Sequence, residues 1–367
     1  MSNTEDLQDN KNKIKLDGFI KEDIIIDDMV LVKKGTKITE EIYKKLKEVY
    51  MENPILIKTE KSFIKDFYKL DEKDIIKENE SLKEAEKNIK IYSNRLTNIF
   101  NTLNFANKNN ISDVTIFCKK ILEELNSPRI MVKNILLNGS GEDSIFTHSV
   151  NVTLLSLLLG KWMNLNDTDL ILLMRAAMLH DYGKYTLDQN LLLKKDNLTS
   201  KEVKIIKNHP IESYNLVKDM PYLKDDIKFG ILMHHERIDG SGYPLGIKGN
   251  KIHSFAKIIA IADVFDAINS NRIYKKRRDP FTALKIIQEE SIAKLDYGLC
   301  EIFINNISNY YIGEYIELSN GEIAKVVQMD LHNITKPLIL CKDGFKDLKK
   351  DTNLNINRII INESSTR

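Results

Sequence analysis

The spacing of apolar residues divides most of the chain into a helical part and a strand-rich tail. From about 111 to 310, apolar residues recur every three or four positions, which is the period of amphipathic helices. From 311 the period becomes two, and Asn320-Gly321 joins two alternating runs as a hairpin turn would. Further strands are predicted in the segments KPLILCKDG and NINRIIIN. We therefore predict a mainly α protein, with an all-helical domain over 111–310 and a small β-domain over 311–367.

The first 110 residues are more heterogeneous. Residues 1–17 are polar without periodicity and are predicted to be disordered. Residues 18–60 mix short β-branched runs with one helix, which Thr39 is placed to cap, and predict a small α/β module. Residues 61–110 are highly charged with helical spacing and predict a connector. Its heptads are too interrupted for a coiled coil, but it is a candidate surface for a homodimer.

Two local patterns predict where helices of the main domain begin. The run Asn166-Asp167-Thr168-Asp169 offers side chains that cap free backbone N–H groups. Thr199 with Glu202 has the spacing of a capping box.

Charge and cysteine content narrow the function classes. The chain has 55 Lys and Arg against 53 Asp and Glu, so its net charge of +2 offers no bulk attraction for DNA, RNA or a membrane surface. The three cysteines are far apart, which favours free thiols in a reducing compartment. The polar N-terminus lacks an apolar signal segment, and no apolar run is long enough to span a bilayer. We predict a cytoplasmic protein without a membrane partner.

Histidines concentrate in the helical domain. Five of the seven lie on its predicted helices: His148, His180, His209, His234 and His235. A single histidine on an apolar face is usually a hydrogen-bonded core residue. Five of them, together with two acids in apolar surroundings, are hard to explain as packing.

Those acids are Asp181 and Asp263. A carboxylate in an apolar helix is costly unless it is paired or binds a metal, and imidazole with carboxylate is a common ligand set of first-row metals. Adjacent helical residues point about 100° apart, so His234 and His235 are expected to serve different ions. Two ions roughly 3.5–4 Å apart could together polarise a phosphate.

The motifs HSVNV, LHDYGK, HP, HHERIDGSGYPLGIKG and ADVFDAINSNRIYK occur in this order over roughly 111–310. In order and spacing they resemble the HD-GYP family, a branch of the HD phosphohydrolases. The resemblance implies a helical fold that binds two or three metal ions, typically iron or manganese, and hydrolyses cyclic di-GMP. The flanking segments resemble modules found beside such domains, and neither carries a ligand motif.

The resemblance also implies roles for individual residues. It makes seven residues metal ligands: His148, His180, Asp181, His209, His234, His235 and Asp263. Asp181 would bridge the ions, and Lys184 would stabilise charge at the scissile phosphate. Asp266, Arg272 and Lys275 match positions that contact the substrate. Arg237 is a second candidate to face the phosphates, and with Glu236 it is expected to hold the loop after His235.

The chain departs from the family pattern at three positions. Ser144 stands where some members have a Glu that helps to hold a third ion, and Asp143 would point to another helix face. Serine is a poor ligand, so two ions are favoured over three. Ser213 and Tyr182 replace a glycine and an aliphatic residue, and we expect both to be tolerated, although Tyr182 lies inside the metal motif.

The predicted function is metal-dependent hydrolysis of cyclic di-GMP to linear pGpG by a hydroxide that bridges two ions. A second cut of pGpG would give GMP. One alternative is a phosphodiesterase for another cyclic dinucleotide, such as cyclic GMP-AMP. The other is a binding protein without catalysis. The presence of all seven ligands and Lys184 disfavours the latter.

Overall fold

The computed structural model describes residues 19–20, 24–26, 29–39, 42, 57–58, 72–103, 111–125, 128–140, 144–194, 196–220, 223–270, 280–342, 344–351 and 353–360. The chain divides into two compact units, residues 79–307 and residues 1–78 with 308–367. The finer limits 18–60, 61–110, 111–310 and 311–367 stay predictions. The disorder predicted for 1–17 lies outside the described residues.

The helices are mainly those of the unit 79–307. In chain order they are α1 Glu72–Thr102, α2 Ile111–Glu124, α3 Pro128–Asn138, α4 Ile145–Trp162, α5 Asp167–Leu179, α6 Tyr182–Tyr185, α7 Gln189–Leu192, α8 Ser200–Lys207, α9 His209–Val217, α10 Asp225–Met233, α11 Ser254–Asn269, α12 Pro280–Glu290 and α13 Tyr297–Ser308. A short 3-10 helix spans Gly249–Lys251. The predicted all-helical main domain is confirmed.

Helix starts follow the predicted caps. The Asn166 side chain accepts a hydrogen bond from the Asp169 N–H at the start of α5. Thr199 and Glu202 form the capping box of α8. These bonds satisfy backbone donors that a helix start leaves free, which explains why these polar runs precede apolar ones.

Helices α4 and α11 form the centre of the helical unit. Along α4 every residue from His148 to Gly160 is buried, and α4 packs against both α5 and α11. A helix buried on all sides is apolar around its whole circumference. Polar side chains on these two helices therefore need a specific partner.

The apolar side of α1 is buried within the helical unit. Ala85, Ile89, Leu96 and Ile99 are buried, and Tyr92 packs edge-on against Phe117 of α2. The apolar spacing that suggested pairing between subunits is thus used inside the chain over the described part of α1. Homodimerisation through 61–110 stays a prediction.

The strands of the second unit run antiparallel. Their bounds are β1 Phe19–Ile20, β2 Ile24–Ile26, β3 Met29–Val32, β4 Ile57–Lys58, β5 Tyr315–Leu318, β6 Ile323–Gln328, β7 Leu338–Cys341, β8 Gly344–Asp347 and β9 Ile356–Ile359. Strand β1 pairs with β4 and β2 with β3, while the last five form one sheet in the order β8-β7-β6-β5-β9.

The C-terminal sheet confirms the predicted β region. Strands β5 and β6 are joined at Asn320-Gly321, where Gly321 has a φ of +80°. Strand β8 was not predicted, because its sequence GFKD lacks an alternating run. At the N-terminus, Thr39 accepts a hydrogen bond from the Ile42 N–H at 3.3 Å. The rest of the helix predicted after Thr39 lies outside the described residues.

The three cysteines form no disulfide and all are buried, in agreement with the sequence-based expectation. Burial raises the pKa of the Cys118 thiol to about 12, so this thiol stays protonated and unreactive. Across the described parts of the chain, no helix combines the length and the apolar character needed to cross a bilayer.

Candidate metal centre

All seven predicted metal ligands come together in the helical unit. They form two groups, each with ligand atoms within 4.8 Å of one another. We call His148, His180 and Asp263 the His148 group, and Asp181, His209, His234 and His235 the His209 group. Six of the seven are buried and His235 is nearly so. Residues up to 115 positions apart in the sequence, from 148 to 263, thus lie close together in the structure.

Asp181 belongs to the His209 group and also faces the His148 group. Its Oδ2 is 3.7 Å from His148 Nε2 and 3.5 Å from His180 Nε2. Its Oδ1 is 3.0 Å from His209 Nε2 and 4.0 Å from His234 Nε2. Each carboxylate oxygen therefore faces a different group, which is the arrangement a bridging ligand needs.

The turn that carries Asp181 is held by close packing behind it. A side chain at Gly183 would meet the His209 backbone oxygen at 2.4 Å, so only glycine fits there. Ser213 accepts a hydrogen bond from the Gly183 N–H at 2.7 Å and donates one to the His180 carbonyl at 2.8 Å. Ser213 is therefore more than tolerated in place of glycine, because it ties this turn to α9.

Three of the candidate ligands are oriented in the same way. His180, His209 and His234, the helix-end histidines, each place Nδ1 beside the backbone carbonyl three residues earlier, namely Ala177 at 2.7 Å, Ile206 at 2.8 Å and Ile231 at 2.6 Å. Those carbonyls belong to the last turns of α5, α8 and α10, where helices leave acceptors free. An Nδ1–H that donates there leaves Nε2 with its lone pair toward the centre.

Several atoms at the centre have no other partner. Buried His148 Nε2, His180 Nε2 and Asp181 Oδ1 lack a hydrogen-bond partner among the described residues. His209 Nε2 and His234 Nε2 face each other at 3.2 Å, and two lone pairs at that distance repel. Because buried polar atoms are normally satisfied, a shared cation fits these donors.

His234 and His235 do not separate as the helical geometry predicted. Both belong to the His209 group, and their ring centroids are 4.1 Å apart. The expectation that each serves a different ion is not supported by this grouping. Its premise was wrong, because α10 ends at Met233 and the two residues lie in the turn that follows. His235 Nδ1 also lies 3.6 Å from Asp263 Oδ2.

The loop after His235 is organised around Glu236, as predicted. This buried carboxylate accepts hydrogen bonds from the backbone N–H groups of Leu245 at 2.6 Å, Gly246 at 3.2 Å and Ile247 at 3.1 Å. Arg237 donates to the Glu236 carbonyl at 3.0 Å. Gly240 has a φ of +83°, which favours glycine.

Tyr243, at the end of this loop, packs against one of the candidate ligands. Its ring stacks on His235 with centroids 4.6 Å apart and an interplanar angle of 30°, and its N–H donates to the His235 carbonyl at 3.1 Å. Lys207 Nζ lies over the same ring at 5.1 Å. The stacking orients the His235 ring, a role that the sequence did not reveal because Tyr243 is eight residues away.

Asp266 has a different position from the predicted one. It is fully buried, with Oδ2 2.7 Å from His148 Nδ1 and Oδ1 accepting from Asn151 Nδ2 at 2.9 Å. Both oxygens of Asp266 are thus engaged, one of them by the candidate ligand His148. The prediction that Asp266 contacts the substrate is not consistent with this position. Asp263 lies one turn earlier, with Oδ1 3.1 Å from His148 Nε2.

Lys184 adds a cation beside Asp181. Its Nζ is 2.7 Å from Asp181 Oδ2, and its side chain keeps about a fifth of its surface exposed. Burial would raise the pKa of Asp181, but Lys184 and the neighbouring histidines outweigh it and hold that pKa well below the usual range. Asp181 is therefore ionised and fit to act as a ligand.

The other ionisable groups fall into a consistent pattern. Burial would raise the pKa of Asp263, but His148 and His235 keep it well below the usual range. Burial, helped by neighbouring imidazoles, keeps the pKa values of His234 and His235 well below the usual range. Burial lowers the pKa of His148, but the nearby carboxylates of Asp263 and Asp266 dominate and raise it to about 9. Ionised carboxylates thus face mostly neutral imidazoles.

The remaining predicted positions lie elsewhere. Ser144 caps α4 by accepting from the Thr147 N–H at 3.2 Å, while Asp143 lies outside the described residues, as do Arg272 and Lys275. The Tyr182 hydroxyl donates to the Leu103 carbonyl at 2.6 Å, and Tyr182 belongs to neither ligand group.

Residues 128–299 match a family model described as an HD domain. The chain is 33% identical to the cyclic di-GMP phosphodiesterase PdeB of Borreliella burgdorferi, over 54% of this chain and 52% of that protein. It is 27% identical to the cyclic di-GMP phosphodiesterase PA4108 of Pseudomonas aeruginosa, over 61% and 55%. It is 30% identical to the 3′3′-cGAMP-specific phosphodiesterase 3 of Vibrio cholerae, over 47% and 37%. The chain spans about half the length of the first two of these relatives.

Proposed function

We propose that this chain, whose residues 128–299 match a family model described as an HD domain, is a metal-dependent phosphodiesterase that hydrolyses cyclic di-GMP to linear pGpG. The observation that carries the proposal is the position of Asp181, with one oxygen toward each ligand group. Relatives named cyclic di-GMP phosphodiesterases support the choice of substrate.

The ligand sets support two divalent ions, with iron or manganese as the best candidates. Imidazole with carboxylate suits both metals. The His148 group and the His209 group would each hold one ion, with Asp181 shared between them. Ser144 caps a helix with its side chain, which favours two ions over three.

When bound, the ions would act as Lewis acids on a phosphate oxygen and lower the pKa of a water molecule. In the net reaction, water adds to phosphorus and one P–O3′ bond breaks, which leaves a 5′-phosphate and a 3′-hydroxyl. A second cut of the same kind would give GMP.

The protein's own residues hold and neutralise the phosphate. Lys184, the proposed catalytic cation, would balance charge that develops on the phosphate oxygens, because its ammonium is fixed beside Asp181 and partly exposed. Arg237 would contribute a second cation near the loop. Arg272 and Lys275 stay predicted contacts to the second phosphate of the ring. Asp266 is not among the substrate contacts.

The proposal extends to the organisation of the whole chain. The chain would act in the cytoplasm, since its three cysteines are buried and form no disulfide, which suits a reducing compartment. The N-terminal module, the connector and the C-terminal β-domain would serve structural or dimerising roles around it.

The direct test combines metal analysis with turnover. The full chain is purified without oxygen, its metal content per chain is measured, and cyclic di-GMP and its products are followed by chromatography. We expect about two ions per chain and production of pGpG. Full metal loading without turnover would overturn the proposal and revive a role in binding alone.

A second substrate is favoured by one specific finding. One relative is named a 3′3′-cGAMP-specific phosphodiesterase, so cyclic GMP-AMP is the second candidate. Rates on both substrates, measured side by side on one preparation, separate the two. A clear preference for cyclic GMP-AMP would replace cyclic di-GMP in the proposal while leaving the reaction unchanged.

A further inference from the structure

The ligand histidines are not all held in the same way. The helix-end histidines place Nδ1 on neutral backbone carbonyls. His148 instead places Nδ1 2.7 Å from a carboxylate oxygen of Asp266. The two ion positions are therefore built with different supports, because His148 belongs to only one of the two groups.

The support of His148 is a small buried chain of polar groups. Asp263 and Asp266, one turn apart on α11, lie on opposite sides of the imidazole, with Asp263 Oδ1 at 3.1 Å from Nε2 and Asp266 Oδ2 at 2.7 Å from Nδ1. Asn151, one turn after His148 on α4, donates to the other oxygen of Asp266 at 2.9 Å. Two helices thus fix the ring and its acceptor together.

Packing alone does not account for Asn151. Its Oδ1 is buried and has no hydrogen-bond partner among the described residues, which is a cost that an apolar side chain would avoid. Its amide nitrogen donates to Asp266. The cost is explained if the function of Asn151 is to hold the Asp266 carboxylate in line with His148 Nδ1.

We propose that Asp266 and Asn151 form a positioning pair that makes the ion position of the His148 group different from that of the His209 group. The inference rests on the proposed metal-dependent function. A carboxylate that accepts the Nδ1 proton fixes the tautomer of His148 and makes Nε2 a stronger electron donor than a backbone carbonyl would. Neither residue touches the substrate or the ion.

The test is a Mn²⁺ titration of the metal-free full chain by calorimetry. Wild-type protein is expected to bind in two steps. Asp266→Asn keeps the shape but removes the negative charge, so one step weakens by roughly 10–100-fold while the other is unchanged. The matched control is Asn269→Ala, one turn further along α11, where a buried amide donates to the Ile135 carbonyl at 2.6 Å. This control is expected to keep both affinities.

A second variant covers the case in which Asp266→Asn does not fold. Asn151→Ala leaves the Asp266 carboxylate in place but removes the hydrogen bond that holds it, so the same binding step weakens by a smaller factor.

The inference is overturned if the folded variants bind both ions like wild type or weaken both steps equally. Wild-type protein that binds two ions but fails to turn over cyclic dinucleotides contradicts the proposed function and leaves the positioning pair standing. Wild-type protein that binds no ion overturns both.

Discussion

The metal centre and the C-terminal sheet differ in where their charged side chains lie. In the sheet, the interior is made of side chains such as Ile316 and Leu340, and charges pair near the surface, as Glu317 does with Arg358 at 2.7 Å. In the metal centre, Asp181 and Asp263 are ionised and buried among imidazoles.

This contrast separates what is built for stability from what is built for chemistry. Burying a charge costs free energy unless a partner compensates it, and the sheet avoids that cost. The metal centre accepts it and leaves ligand atoms without hydrogen bonds. Ions should therefore stabilise the helical unit and leave the sheet unaffected.

The largest expected effect comes from Asp181, the carboxylate proposed to bridge the two ions. Asp181→Ala removes a member of the His209 group, the oxygen that faces His148 and His180, and the partner of Lys184. Loss of activity should exceed the roughly 100-fold typical of indirect supporting residues. The measurement is hydrolysis of cyclic di-GMP together with metal content per chain.

The matched control for this variant is Asp226→Ala. Asp226 also meets a histidine, His253, at 3.1 Å, but its side chain is about half exposed and it belongs to neither ligand group. We expect it to keep both metal and activity. An Asp181→Ala protein that hydrolyses substrate as fast as this control would break the proposed role.

Metal removal should distinguish the two regions directly. A ligand at 100 times its dissociation constant stabilises the folded state by about 2.7 kcal/mol, so chelation should lower the stability of the helical unit. The single tryptophan, Trp162, lies at the end of α4 and packs against Phe303, so its fluorescence reports unfolding of this unit.

Hydrogen exchange supplies the comparison with the sheet. Amides of α4 and α11 should exchange faster after chelation, while those of β5 and β6 should not change. Added Mn²⁺ should restore the slow exchange of the helices. An equal acceleration in both regions would contradict the difference drawn between them.

The next effect concerns the loop held by Glu236. Glu236→Gln replaces a charged acceptor of three backbone N–H groups by an amide whose nitrogen cannot accept. A hydrogen bond to a charged group contributes about 1.5–3 kcal/mol, so we expect the free energy of unfolding to fall by about 2–3 kcal/mol. Chemical denaturation followed by Trp162 fluorescence measures it. Glu289→Gln, at an exposed position in the same unit where the carboxylate lies 3.7 Å from Lys285 Nζ, should cause little change. Equal effects of the two variants would refute the proposed role of Glu236.

The smallest effect is expected at Tyr182. Tyr182→Phe removes the hydrogen bond to the Leu103 carbonyl and keeps the ring packed 4.5 Å from that of Phe100. The expected loss is about 1 kcal/mol of stability, with unchanged metal affinity because the hydroxyl is bonded to a backbone carbonyl and Tyr182 belongs to neither ligand group. Tyr297→Phe, at an exposed position, is the control. Altered metal affinity in Tyr182→Phe would mean that the hydroxyl affects the centre.

The motifs identified which residues come together, because the residue types that can bind a metal follow from their chemistry. His180 with Asp181, and His234 with His235, are recognisable as local pairs, and all seven predicted ligands converge. Helix caps such as Asn166 were equally predictable, since capping is decided by neighbouring residues.

Contacts between distant segments could not be predicted in this way. The position of Asp266 behind His148 depends on the packing of α11 against α4, across 118 residues. The role of Ser213 depends on the approach of α9 to the turn at Gly183. The grouping of His234 with His235 depends on α10 ending at Met233, directly before the pair. A helical projection assumes that the helix continues through both residues.

The most direct test of the central claim is anomalous X-ray scattering at the manganese edge, recorded on crystals of the full chain grown with Mn²⁺. We predict two peaks within the ligand cluster, one beside His148, His180 and Asp263 and the other beside His209, His234 and His235, with the Asp181 carboxylate between them. A cluster without a peak, or with a single ion that Asp181 does not contact, would contradict the proposal that Asp181 bridges two metal positions.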